Sequence, residues 1–155
     1  MATAELSLRL ATQTCDVDVS KGVRFRFDAA TPEEMVFEGR LPANYASGLT
    51  AKIQYSMVSA TSGTVEFEVS VMAVTPGDAA AVGTDSYDTS NDVSEEVPGT
   101  EDYLSELSVA LANADSAAAG DYLRIRVARD ADDGTNDTAT GDAMLRNFVI
   151  EFTTS

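Results

Sequence analysis

Apolar residues alternate with polar ones along most of this chain, which is the period of a half-buried β-strand. Leu6, Leu8 and Leu10 open the pattern. Val23, Phe25 and Phe27 share one face, with Arg24 and Arg26 on the other. Met35 and Phe37 form a shorter run. Leu49, Ala51, Ile53, Tyr55 and Met57 oppose Thr50, Lys52, Gln54 and Ser56. Val65, Phe67, Val69 and Val71 oppose Glu66, Glu68 and Ser70. Leu107, Val109 and Leu111 follow, then Leu123, Ile125 and Val127 opposite Arg124 and Arg126. Phe148, Ile150 and Phe152 close the chain opposite Asn147, Val149 and Glu151. Clean alternation is the mark of antiparallel sheets with one wet face; parallel strands read as continuous apolar runs.

The breaks between runs carry turn chemistry: Ser20-Lys21-Gly22, Ala46-Ser47-Gly48, Thr61-Ser62-Gly63, Pro76-Gly77-Asp78, Pro98-Gly99, Ala119-Gly120-Asp121 and Thr140-Gly141-Asp142. The expected fold is therefore all-β: an antiparallel β-sandwich, jelly-roll-like, of about eight short strands. Two places favour a turn of helix. Thr31-Pro32-Glu33-Glu34 has an N-cap residue followed by proline, and 113–119 is alanine-rich after Asn113. Residues 75–102 hold eight carboxylates and no basic residue, and read as a long acidic loop with one edge strand around 87–97. Residues 1–20 are a partner-binding arm or the first strand; 21–155 form a single sandwich domain.

Composition narrows the function. The chain has 155 residues, 26 of them acidic and 10 basic, for a net charge of -16. Phosphate binding needs a basic surface, so nucleic acid is not expected as a partner, nor is an anionic membrane. No apolar run reaches the ~20 residues of a membrane span. Charges within residues 1–20 break up any signal-peptide core, which places synthesis in a cytoplasm. No lysine or arginine occurs between Lys52 and Arg124. Arg24, Arg26, Arg124 and Arg126 are expected to pair across the sheet if their strands neighbour Glu66 and Glu68, or else to line a subunit contact.

Histidine is absent and Cys15 is the one cysteine. That removes Ser-His-Asp and Cys-His schemes, zinc sites and disulfides. No glycine-rich phosphate loop occurs, and no cofactor is implied. Cys15 is expected to be a small buried hydrophobe. Carboxylates crowd one stretch: Asp130, Asp132, Asp133 and Asp137, with Asn136 and Asp142 near. They read as a solvated acidic turn, with calcium as the alternative; the order of an EF-hand loop is missing. Tyr45, Tyr55, Tyr87, Tyr103 and Tyr122 would be the residues of any sugar-stacking face, but their scatter favours packing roles. Nothing assembles a catalytic site, so the chain is expected not to be an enzyme.

Two blocks carry a resemblance. LPANYASGLTAKIQYSMVS from Leu41 with the following ATSGTVEFEVSV, and NADSAAAGDYLRIRVARDADDGTNDTATGDAMLRNFVIEFT from Asn113 to Thr153, resemble small jelly-roll-like virion proteins of tailed bacteriophages. The resemblance implies a capsid decoration (cement) protein that binds the major capsid protein on the virion surface, often as a homotrimer. Contact would then run through Ala2 to Val19, with Leu6, Leu8 and Leu10 as interface residues instead of core. The alternative is a fibre or tail appendage module that binds a host glycan or receptor. A third reading, outside virions, is a calcium-stabilised adhesion or carbohydrate-binding domain.

Overall fold

The computed structural model describes residues 1–20 and 24–155, so Val23 and most of the Ser20-Lys21-Gly22 turn lie outside the described residues. Among the described residues, eleven strands form two antiparallel sheets: β1 (Thr3–Glu5), β2 (Leu8–Gln13), β3 (Asp16–Asp18), β4 (Arg24–Phe27), β5 (Glu33–Arg40), β6 (Tyr45–Met57), β7 (Thr64–Val74), β8 (Asn91–Glu96), β9 (Ser105–Ala110), β10 (Tyr122–Arg129) and β11 (Ala143–Thr154). One sheet runs β3-β4-β11-β6-β9, with β1 added to the far half of β11; the other runs β2-β5-β10-β7-β8. The sandwich is as expected, with eleven strands in place of about eight. The three extra strands come mostly from splitting the N-terminal segment.

That segment changes sheets. β1 pairs with β11 through Thr3↔Thr153, and Leu6 N donates to Ile150 O at 2.8 Å. Two residues later β2 pairs with β5 through Leu8↔Gly39. Leu6 at the crossing is buried in the core, Leu8 packs against the core, and Leu10 is 39% exposed at the sheet edge. Gly39 makes the β2 approach possible: a Cβ there would lie 2.8 Å from both Leu8 Cδ2 and Ser7 O.

The inward residues of both sheets are those the alternation selects. Ala51, Ile53, Tyr55, Met57, Ile150 and Phe152 meet Met35, Val65, Phe67, Val69, Leu123, Ile125 and Val127, all buried. Aromatic rings join the layers. Phe67 stands edge-on to Phe27 with centroids 6.0 Å apart and touches Tyr55 at 5.4 Å, while Phe37 stacks on Phe148 at 4.9 Å. Burial pushes the Tyr55 hydroxyl up to about 12 and the Cys15 thiol up to about 11, so Cys15 sits in the fold as an inert hydrophobe.

Neither expected helical turn forms, and the described residues contain no helix. Glu33 and Glu34 belong to β5, opposite Arg129 and Ala128. The period-two demand of Met35 and Phe37 extends backwards through them, and Glu33 Oε2 accepts Asp28 N at 2.7 Å in place of a helical role. In 113–119, Asp115 and Ser116 have φ of 53° and 55°, which a right-handed helix excludes. Side chains hold that loop open: Asn113 N donates to Asn91 Oδ1, Asn91 Nδ2 to Asn113 O, and Asp115 N to Asp88 Oδ2.

A buried ion pair is sealed into the fold. Arg129 ends β10 in phase with Leu123, Ile125 and Val127, and is fully buried. Its Nε and Nη2 donate to the two carboxylate oxygens of Asp137 at 2.8 Å; Nη1 reaches Gly141 O and Nη2 reaches Ala139 O, also at 2.8 Å. Asp137 Oδ2 further accepts Glu66 N at 3.1 Å, and Thr138 is tied to Thr64 beside it. Gly63, with φ of 92°, leaves room for this approach, since a Cβ would press on Thr138 and Ala139 at 3.0 Å. The loop 130–142 is thus fastened to the start of β7. Arg129→Met leaves the Asp137 carboxylate buried without its cation, and is expected to cost roughly 3–5 kcal/mol in urea unfolding; a loss under about 1 kcal/mol would show that the pair holds nothing.

Candidate functional site

The outward face of the five-stranded sheet carries a run of charged side chains together with two tyrosines. Antiparallel register puts Arg124 of β10 opposite Glu38 of β5, and Arg126 opposite Val36 of β5 and Ser70 of β7. The result is a ladder. Glu38 accepts Tyr122 Oη at 2.6 Å and Arg124 Nη2 at 3.3 Å, and pairs with Arg9 of β2. These donors, the tyrosine first, hold the Glu38 carboxyl below its ordinary range. Arg126 lies 3.6 Å from Glu34, 3.7 Å from Glu68 and 3.2 Å from Ser70 Oγ.

The β7–β8 connection reaches over this ladder. Arg124 Nη1 donates to Val82 O at 3.1 Å, and the Tyr87 ring lies 5.7 Å from the Arg126 guanidinium carbon. Asp88 N bonds Val71 O, which extends the sheet edge ahead of the start of β8. Met72, Val36 and Val74 are buried on this side, under the charged residues. Two shallow depressions remain open. One, of about 370 Å³, lies among Arg9, Glu38, Arg40 and Tyr122; the other, of about 230 Å³, lies among Pro32, Glu34, Glu68 and Arg126. They follow the β5–β10 seam at Glu38 and Glu34, four residues or roughly 13 Å apart along the strand.

Beyond Glu68 the same face turns acidic. Glu66 is 7% exposed, and one carboxylate oxygen each from Glu66, Asp130 and Asp133 lies within 4.8 Å of the others. These three are the described residues that could hold a metal ion together. Burial, then Asp133, Asp130, Asp92 and Glu68, push the Glu66 carboxyl up to about 7. Asp133 is held below its usual range by Thr135 N and Asn136 N, which both donate to Oδ1.

No protein-family model matches the chain, and no curated protein does. Solved structures do match. A family 35 carbohydrate-binding module from an environmental isolate superposes with a TM-score of 0.56 at 13% identity, covering 100% of this chain and 98% of its own. The CBM35 from Cellvibrio japonicus Abf62 gives 0.52 at 9% identity over 99% and 95%. CBM35 from Paenibacillus barcinonensis gives 0.50 at 16% over the whole of both chains. The chain has the jelly-roll fold of carbohydrate-binding modules. At these identities the likeness is one of fold.

The residues singled out in the sequence are redistributed by this fold. Asp130 and Asp133 of the acidic turn come together, joined by Glu66. Asp132 is exposed and outside that group, and Asp137 is consumed by Arg129. Arg124 and Arg126 pair across the sheet with Glu38, Glu34 and Glu68, whereas Arg26 pairs with Asp16 of β3 at 2.8 Å. Of the tyrosines, Tyr87 and Tyr122 share the outward face; Tyr55 is core, Tyr45 packs against Phe152, and Tyr103 is exposed on the β8–β9 loop. Glu66 escapes the alternation, which assigns it to water like Glu68. Arg129 is the reverse case: its phase with three buried residues already marks it as inward.

Glu66 sets a pH dependence. Its folded value of about 7 exceeds the ordinary 4.5, so between these the folded chain binds the extra proton. Stability from this group is therefore full below pH 4.5 and falls as pH rises through 7. In metal-free buffer, Glu66→Gln is expected to be more stable than the parent at pH 8 by roughly 1–3 kcal/mol, and the gap to close towards pH 4.5. Parallel stability-pH curves for the two proteins would contradict the raised value.

Proposed function

We propose that this chain is a non-catalytic recognition module whose outward five-stranded face binds a neutral glycan. One observation carries the reading: Tyr87 and Tyr122 share that face with a ladder of charged side chains already fixed by one another. A sugar offers an apolar ring face and a rim of hydroxyls. Tyrosine rings take the first. Carboxylates and guanidiniums held by partners take the second with little further loss of freedom on binding. The fold shared with carbohydrate-binding modules supports the same reading. The net charge of -16 repels anionic polymers, which favours neutral ones.

The virion reading keeps one observation of its own. β2 and β3 are edge strands of the two sheets; Leu10 and Val17 are exposed on them, and Val19 is exposed just after β3. Such edges can accept a strand from a capsid subunit. A glycan-binding appendage of a phage particle would reconcile the two readings.

The deciding experiment is affinity electrophoresis of the purified protein through a panel of neutral polysaccharides. At least one is expected to retard it, and Tyr87→Ala and Tyr122→Ala are each expected to weaken binding by about tenfold, or ~1.4 kcal/mol. Free migration through every polymer, or tyrosine variants that bind like the parent, would overturn the proposal.

A further inference from the structure

The acidic corner at the end of this face stands apart from the tyrosines and the arginine ladder, and it has a geometry of its own. Glu66 comes from β7 and Asp130 is the first residue after β10; Asp130 N donates to Glu66 O at 3.2 Å, so backbone pairing sets their approach. Asp133 is placed by a tight turn, in which Asp133 N donates to Asp130 O at 3.2 Å and Asp137 N to Asp133 O at 2.8 Å. Asn136 Nδ2 fixes the second oxygen of Asp133 at 3.0 Å. The turn is locked in its own right by Asp137 on Arg129.

We propose that Glu66, Asp130 and Asp133 form a calcium-binding site that ties the 130–142 loop to the first residues of β7.

Three features separate it from a solvated acidic surface. Glu66 is 7% exposed, so water cannot repay its charge, and its Oε2 is buried without a hydrogen-bond partner. The charged groups that act on it, Asp133 and Asp130 from the loop, Asp92 from β8 and Glu68 from its own strand, are all carboxylates. The nearby cations are engaged: Arg129 with Asp137, and Arg126 with Glu34 and Glu68. A divalent ion supplies the missing positive charge and gives the orphaned oxygen a partner.

The ligand chemistry selects the ion. All donors are hard carboxylate oxygens, with no nitrogen or sulfur, which excludes a zinc-type site. Calcium accepts six to eight oxygens in irregular geometry, and the partly exposed Asp133 side leaves room for water to complete the shell. Magnesium prefers strict octahedral geometry and one or two carboxylates, and suits three converging ones less well. The site differs from the set that sequence spacing suggests, because Asp132 is outside it and Asp137 is already paired. It does not depend on what ligand the sheet face takes.

The test is thermal unfolding of the full chain, dialysed against chelator, with and without calcium chloride, alongside a calorimetric titration. Calcium at about a hundredfold over its dissociation constant is expected to raise Tm by roughly 5–10 °C, reversed by chelator. The titration is expected to show one site. Glu66→Gln and Asp130→Asn are each expected to lose the shift, and Asp132→Asn to keep it. Glu66→Gln still melting cooperatively in metal-free buffer shows that the loss is one of binding and not of folding. An unchanged Tm at millimolar calcium, a shift that survives in both the Glu66 and Asp130 variants, or an equal shift with magnesium would overturn the assignment.

Discussion

The guanidinium of Arg129, sealed between Asp137 and the carbonyls of Ala139 and Gly141, is the interaction on which the rest of the molecule depends. A charge at an inward strand position would be prohibitive alone. Here every donor in contact with the loop is matched, and the matching partners all come from one segment. The loop therefore has one place to go. Once it is there, Asp137 also caps Glu66 N, Thr138 meets Thr64, and β11 enters its sheet beside β4 and β6.

β10 carries both consequences of that arrangement. Its inward residues Leu123, Ile125 and Val127 belong to the core between the sheets. Its outward residues Tyr122, Arg124 and Arg126 build the charged and aromatic ladder. Flanked by β5 and β7 over its full length, it cannot shift by one residue without exchanging the two sets. The register that fixes the core thus also fixes the order of side chains on the polar face.

Period-two patterning made the sandwich legible because each main strand has one dry and one wet side. It also marked Arg124 and Arg126 as partners for the glutamates of neighbouring strands. It could not see the sheet change at Leu6, because a crossing residue is as apolar as a strand residue. It misplaced the turns at 31–34 and 113–119, where local helix signals lose to strand pairing by Glu33 and Glu34 and to the side-chain clamps on Asn113 and Asp115. The acidic loop showed too many carboxylates to rank. Only the fold separates Asp137, buried on Arg129, from Asp130 and Asp133, and only the fold brings Glu66 to them from sixty-odd positions away. The two blocks that resemble virion proteins do not fold as hairpins: each crosses from one sheet to the other, β6 to β7 and β10 to β11, and such crossings belong to the sandwich fold and not to one function.

The proposed glycan-binding role places the ligand on the outward five-stranded face, where Tyr87 and Tyr122 flank the charged ladder. The most direct measurement is backbone amide chemical-shift mapping while a neutral oligosaccharide is added. The shifting amides are expected to cluster on β5, β10 and the far half of β7, with residues 82–88. Shifts confined to the β2–β3 edge or to the Tyr103–Leu104 loop, with the five-stranded face silent, would contradict it.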